Sequence, residues 1–281
     1  MDNQFQDLTG RESSNSFSFV GTLDTIENGD FEIQDFSNWR TIGDTDIVSD
    51  DVIFYSEPPL PFNQALITSG FSDGGGSVID TDLEEFLDLV PGTLDGLTEN
   101  DAIEGSVIKQ TFTAQAGDIV SFDWNFLTNE STPNATYNDT AFLSVNGFTF
   151  ELADTNSHFV DASADNYYHG SAELTDEFTG QTGTQTLTFS VAEAGTYTIG
   201  FGVVDVGDDL FDSGLLIDNV EIQPLEHYGF AEHGFTGGSG IADSSINSDV
   251  NLVFGDGGFE TIGSNSMETD LVLGNNGFEV I

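Results

Sequence analysis

Apolar and polar residues alternate in short runs along most of the chain, and Gly, Asn, Asp and Pro break the runs. Thr186 to Val191 and Thr196 to Phe201 alternate strictly, the period-2 signature of a strand with one buried face. Val107 to Thr113, Ile119 to Leu127, Thr140 to Val145, Phe148 to Leu152 and Leu215 to Ile222 read as further strands, with turns at Gly117-Asp118 and Ala194-Gly195. Nearer the N-terminus, Leu23 to Phe31, Ile47 to Tyr55 and Ala65 to Ile67 are shorter runs of the same kind, with Trp39 between the first two. About ten short strands with even turn spacing predict an all-β fold, a two-sheet antiparallel jelly-roll-like sandwich over residues 21–224.

Three segments depart from this pattern. Thr81 and Glu84 have the spacing of a capping box, Leu83, Phe86, Leu87 and Val90 follow at helical spacing, and Pro91-Gly92 stops the run. This predicts one short inserted helix at about 80–90, over one end of the sandwich. Residues 1–20 are polar with a Phe17/Phe19 alternation, and read as an N-terminal arm or a first edge strand. Residues 225–281 form a tail rich in Gly, Ser, Asn and Phe that holds a repeat: Leu252–Ile262 and Leu271–Ile281 share seven of eleven positions. Each copy reads as a β-hairpin turning on Gly and Asn or Asp. An isolated hairpin is marginal in water, so the tail needs a surface, on its own sandwich or on a neighbouring molecule. Phe17, Phe19, Phe254, Phe259 and Phe278 are therefore the candidate self-association residues.

Charge narrows the functional classes. Fifty acidic residues stand against three Lys and Arg, a net charge of −47. Three cations cannot neutralise a run of phosphates, which excludes nucleic acid as a partner. The only lysine, Lys109, lies outside any phosphate-binding loop, and no apolar run is long enough to span a membrane. Without cysteine there are no disulfides, thiolate nucleophiles or Cys-held metals. Such a chain repels itself unless high salt or divalent cations screen it, and calcium suits carboxylates. An extracellular or cell-surface location is expected, although Met1 to Asp7 shows no signal peptide.

Candidate chemistry is correspondingly limited. Glu130, Asp139, Asp205 and Asp212 fall at strand ends, in loops that a sandwich gathers at one end, and form either a calcium site or a set of solvated carboxylates. His158, His169, His227 and His233 lack zinc-site spacing, and there is no Gly-x-Ser-x-Gly elbow, so no enzyme is expected. Gly237 to Asp243 nearly matches a calcium nonapeptide but carries its Asp one position late. Trp124, inside an alternating strand, reads as core, whereas Tyr167 and Tyr168 are the candidate ligand-binding aromatics. Three glycosylation sequons starting at Asn129, Asn134 and Asn138 mark an exposed loop.

Glu27-Asn-Gly-Asp-Phe-Glu32, with Trp39 after it and Leu216-Ile-Asp-Asn-Val-Glu-Ile222 late in the domain, resembles the jelly-roll carbohydrate-binding modules. The resemblance implies that the two segments lie side by side and share a structural calcium. Glu32 and Asp218 would be side-chain ligands, with the Asn28 and Gly29 backbone nearby. Two carboxylates facing each other across a ladder repel unless something positive sits between them. Glu104–Thr113, Ser121–Glu130, Tyr137–Asp139, Phe201–Asp208 and Asp212–Asn219 are similar to a group of uncharacterised exported bacterial sandwich domains frequent in cyanobacteria, which implies fold and export but no activity. The reading that unites these features is a secreted, calcium-stabilised structural protein that self-associates through its terminal strands into a filament or matrix. The alternative is a monomeric carbohydrate-binding or adhesion module for a polysaccharide.

Overall fold

The alternating runs pair into two facing sheets. The structure, a computed structural model, describes residues 25–49, 63–70, 76–98, 100–159, 178 and 180–224, together with four strand backbones in the tail. In chain order the strands are β1 (Arg40–Ile42), β2 (Asp44–Ser49), β3 (Asn63–Thr68), β4 (Val78–Ile79), β5 (Ala102–Ala114), β6 (Ile119–Thr128), β7 (Thr140–Val145), β8 (Phe148–Asp154), β9 (Gly180–Gln181), β10 (Gln185–Val191), β11 (Gly195–Val206), β12 (Ser213–Gln223), β13 (Leu252–Gly255), β14 (Gly258–Thr261), β15 (Leu271–Gly274) and β16 (Gly277–Val280). The smaller sheet runs β1-β5-β11-β7-β8, with β4 beside β5. The larger runs β2-β3-β12-β6-β10 and continues through the tail as β13-β14-β15-β16, with β9 beside β6. Among the described residues the pairing is antiparallel except between β10 and β13, which run parallel.

The core forms where the inward columns of the two sheets meet. Tyr197, Ile199, Phe201 and Val203 of β11 face Val120, Phe122, Trp124 and Phe126 of β6. The Phe122 and Phe201 rings meet edge to face with centroids 4.7 Å apart. Trp39 and Phe31 extend this cluster, their rings 5.5 Å apart. The segment before Trp39 is not the strand that the apolar run Leu23 to Phe31 implied. Asn28, Phe31, Gln34 and Asn38 all take positive φ, which folds Thr25 to Asn38 into successive turns and drives Phe31 fully inward.

The helical insertion differs from expectation in three ways. It makes two short helices, α1 (Asp80–Leu87) and α2 (Thr93–Leu97). They cover the outer face of the smaller sheet rather than one end of the sandwich. Leu83, Leu87, Leu89 and Leu94 pack on Val107, Phe142, Val204 and Val206, because β5 and β11 carry apolar side chains on both faces. No side chain caps α1. Glu84 is buried and accepts the backbone N–H groups of Gly92 and Leu94, each at 2.9 Å, so it serves the start of α2 instead. Asp88, with φ 60°, ends α1 and leaves Val90 exposed.

The first tail strand docks on the domain itself. Phe254 is buried, its ring centroid 5.9 Å from those of Phe148 and Tyr197 and 6.5 Å from that of Phe189. This corrects its reading as a residue free to bind a neighbour: the β10 edge needs a strand, and Phe254 fills the gap between the sheets beside it. Phe259 and Phe278 fall in β14 and β16, opposite Phe254 and Leu273 in register, but their side chains lie outside the described residues, as do Phe17 and Phe19. Phe254→Ala is expected to lower stability by about 2–3 kcal/mol, the value of one buried aromatic, and to make the tail protease-sensitive before the sandwich unfolds. Limited proteolysis alongside a thermal melt checks this.

Candidate functional site

The outer face of the larger sheet carries an open cleft of about 470 Å³. Asp30 and Glu32 reach it from the turns before Trp39, Gln64 from β3, Asp123, Trp124 and Asn125 from β6, Thr184 from the approach to β10, and Leu216, Asp218 and Asn219 from β12. Leu216 continues below into a small apolar cluster with Leu66, Leu127 and Phe178. The rim is thus polar and the floor partly apolar. Trp124 contributes to the wall while remaining mostly inside the core.

The register identifies the carboxylate that faces Asp218 across the ladder. It is Asp123, its direct partner in the β6–β12 pairing, and not Glu32. A bulge between Asp218 and Glu221 turns Asn219 to φ 52° and brings its amide over this pair. Asn219 Nδ2 lies 2.9 Å from Asp123 Oδ2 and 3.4 Å from Asp218 Oδ2, so an amide donor bridges the two carboxylates. Thr186 donates a further hydrogen bond to Asp123.

The motif implied by the resemblance comes together in part. Gly29 and Val220 lie side by side, with the Val220 N–H donating to the Gly29 carbonyl at 2.9 Å. Asn28 Nδ2 donates to the carbonyls of Asp35 and Ser37, while Asn28 Oδ1 is buried and accepts no hydrogen bond. Glu32 and Asp218 share the cleft, but Glu32 already accepts the Asn63 backbone N–H at 2.8 Å and its side-chain amide at 3.3 Å. The orphaned Asn28 oxygen fits a cation at this corner. Glu32, with one hydrogen bond to each oxygen, keeps lone pairs for one as well.

Glu130, Asp139, Asp205 and Asp212 do gather at one end of the sandwich. Asp205 sits on the inward column of β11, directly after Val203 in the alternation, and is 1 % exposed. Both of its carboxylate oxygens are buried without a hydrogen-bond partner. Asp139, at the start of β7, is buried next to it and is better satisfied: Oδ1 accepts the Val206 N–H at 3.1 Å and Oδ2 the Ser213 hydroxyl at 2.6 Å. Burial pushes the pKa of both groups well above the carboxylate range, and for Asp205 the charge of Asp139 adds to it. Glu130 and Asp212 are raised less, also mainly by burial, and Glu104 and Asp44 add to the charge around Asp212. Among the described residues no three carboxylates or histidines form a ready metal cage.

Tyr167 and Tyr168 lie outside the described residues. Asp123, Asn125, Gln64 and Asn219 were not singled out from the sequence. Their signal was present in β6, where Asp123 and Asn125 are the polar alternates of Phe122, Trp124 and Phe126. No protein-family model and no curated protein matches the chain. Solved structures it is similar to include TmCBM61 in complex with β-1,4-galactotriose, at 14% identity over 71% of this chain and 97% of that one, TM-score 0.36. Another is the CBM22-1 xylan-binding domain of Paenibacillus barcinonensis Xyn10C, at 10% identity over 69% and 90%, TM-score 0.29. A third is the enzymatically active domain of bacteriophage CBA120 tailspike protein 4, at 13% identity over 71% of this chain but 21% of that one, TM-score 0.31. No helix among the described residues is long and apolar enough to cross a membrane.

Proposed function

We propose that the chain is an extracellular carbohydrate-binding or adhesion module that acts as a monomer and holds a polysaccharide without transforming it. The observation that carries this reading is the cleft on the larger sheet. Amide and carboxylate groups at fixed positions suit sugar hydroxyls, which both donate and accept. The ligand class is neutral polysaccharide. Asp30, Glu32, Asp123 and Asp218 line the cleft and the chain carries −47, so uronate or sulfate glycans are repelled. The docking of Phe254 on its own domain supports a monomer over strand exchange between copies. A structural calcium at the Asn28–Gly29 corner belongs to the same reading, with the free Asn28 oxygen as its support.

Affinity electrophoresis in soluble glucans, xylans, galactans and polygalacturonate tests this, with light scattering for mass. At least one neutral polymer should retard the protein, polygalacturonate should not, and the mass should be that of one chain. Gln64→Ala should weaken binding about fivefold to tenfold, the worth of one hydrogen bond at a ligand. Failure of every neutral polymer to retard the protein, or growth of large particles with calcium, would overturn the reading.

A further inference from the structure

We propose that the end of the sandwich where the two sheets meet is a calcium site, with Asp139 and Asp205 clamping one ion between them. It is separate from the glycan cleft and from the Asn28 corner, and does not depend on either. The first support is Asp205 itself. Its column in β11 reads Tyr197, Ile199, Phe201, Val203, Asp205, all inward and buried. A carboxylate in that position with neither oxygen hydrogen-bonded is among the most costly groups a core can hold, unless a cation accompanies it. The second is the neighbouring carboxylate. Asp139, from the neighbouring strand end, has one hydrogen bond to each oxygen, leaving lone pairs unused. Two buried carboxylates and one dication balance in charge, which a monovalent ion cannot achieve.

Other oxygens complete the shell. Ser69 follows β3 and Ser213 opens β12, both fully buried beside the pair. The two serines are locked to each other, the Ser213 N–H donating to Ser69 Oγ at 2.9 Å. Hydroxyl, carbonyl and water oxygens with two carboxylates make an irregular hard-donor set, which calcium accepts and magnesium, with its strict octahedron, does not. Around Gly70, next to Ser69, a Cβ would lie 3.1 Å from Asp212 Oδ1 and 3.7 Å from Glu104 Oε1, so two further half-buried carboxylates converge there. They raise the local cation concentration just outside the pair. Because Asp205 and the start of β7 after Asp139 belong to the smaller sheet, and Ser213 and the end of β3 before Ser69 to the larger, the ion would fasten the two sheets together.

The rival occupant is a proton shared by the two carboxyls, and thermal melts separate the two cases. Wild-type protein stripped with EDTA should gain about 5–10 °C in Tm with calcium at a hundredfold excess over Kd. Asp205→Asn should melt higher than the wild type in EDTA, because the buried acid is gone, and should lose most of the calcium shift. Asp139→Asn should lose the shift as well, whereas Asp46→Asn, an exposed carboxylate of β2 outside both sites, should keep it. Calorimetric titration should count one ion fewer in Asp205→Asn. A full calcium shift in both Asp205→Asn and Asp139→Asn, or no shift in the wild type, would overturn the proposal in favour of the shared proton.

Discussion

Gly29→Ala is expected to spring open the corner where the early turns meet β12. A Cβ at Gly29 would lie 1.9 Å from the Val220 carbonyl oxygen and 3.2 Å from Val220 Cβ. The obstacle is backbone, which cannot rotate aside as a flexible side chain can. The two segments must separate, and the 2.9 Å bond from the Val220 N–H to the Gly29 carbonyl goes with them. So does the seat of Trp39, whose Nε1 donates to the Asn28 carbonyl at 3.0 Å. Overpacking of this kind costs about 3 kcal/mol, at the upper end of its usual range. Asp30, Glu32 and Asn219 line the cleft from these segments, so glycan binding should fall along with the urea midpoint. An unchanged midpoint would show that the corner is softer than its contacts indicate.

Phe201→Ala should have the largest effect of any single core truncation. The ring is fully buried in the middle of β11, packed edge to face on Phe122 of the opposite sheet and 6.1 Å from Trp39. Its cross-strand partners Ile108 and Leu143 sit in strands that cannot close the gap without breaking register. A loss of about 3–5 kcal/mol is expected, and in a chain this long each kcal/mol lowers Tm by about 2–4 °C. Phe211→Ala is the control. That ring is 56% exposed, and its removal should shift stability by no more than about 0.5 kcal/mol. Equal effects from the two variants would mean that the inter-sheet core is not where the stability resides.

What could be read in advance divides along physical lines. The strict alternation of Thr186 to Val191 and Thr196 to Phe201 reports burial directly, and these residues form β10 and the centre of β11. The Leu83–Phe86–Leu87 spacing likewise located α1, because side-chain periodicity is a local property. Glu84 misled, since its capping partners Gly92 and Leu94 come from another helix rather than from its own first turn. Phe31 misled because an apolar residue in a run suggests a strand, whereas it sits at positive φ in a turn and packs against Trp39 and Phe36. The partner of Asp218 was hidden for the same reason. Register between β6 and β12 pairs it with Asp123, and no local pattern encodes a contact between residues so far apart. Asp205 was legible as an acid at a strand end. Its inward aim was also implicit in the alternation, one step beyond Val203.

The parallel joint between β10 and β13 has a consequence for how the protein is made. The strand that closes the β10 edge leaves the ribosome after β1 to β12 have all emerged. Until then β10 offers an unpaired row of N–H and C=O groups, the surface on which two nascent chains would join. Their acidic residues, already synthesised and already unbalanced, push the half-finished sheets apart for as long as the edge is bare.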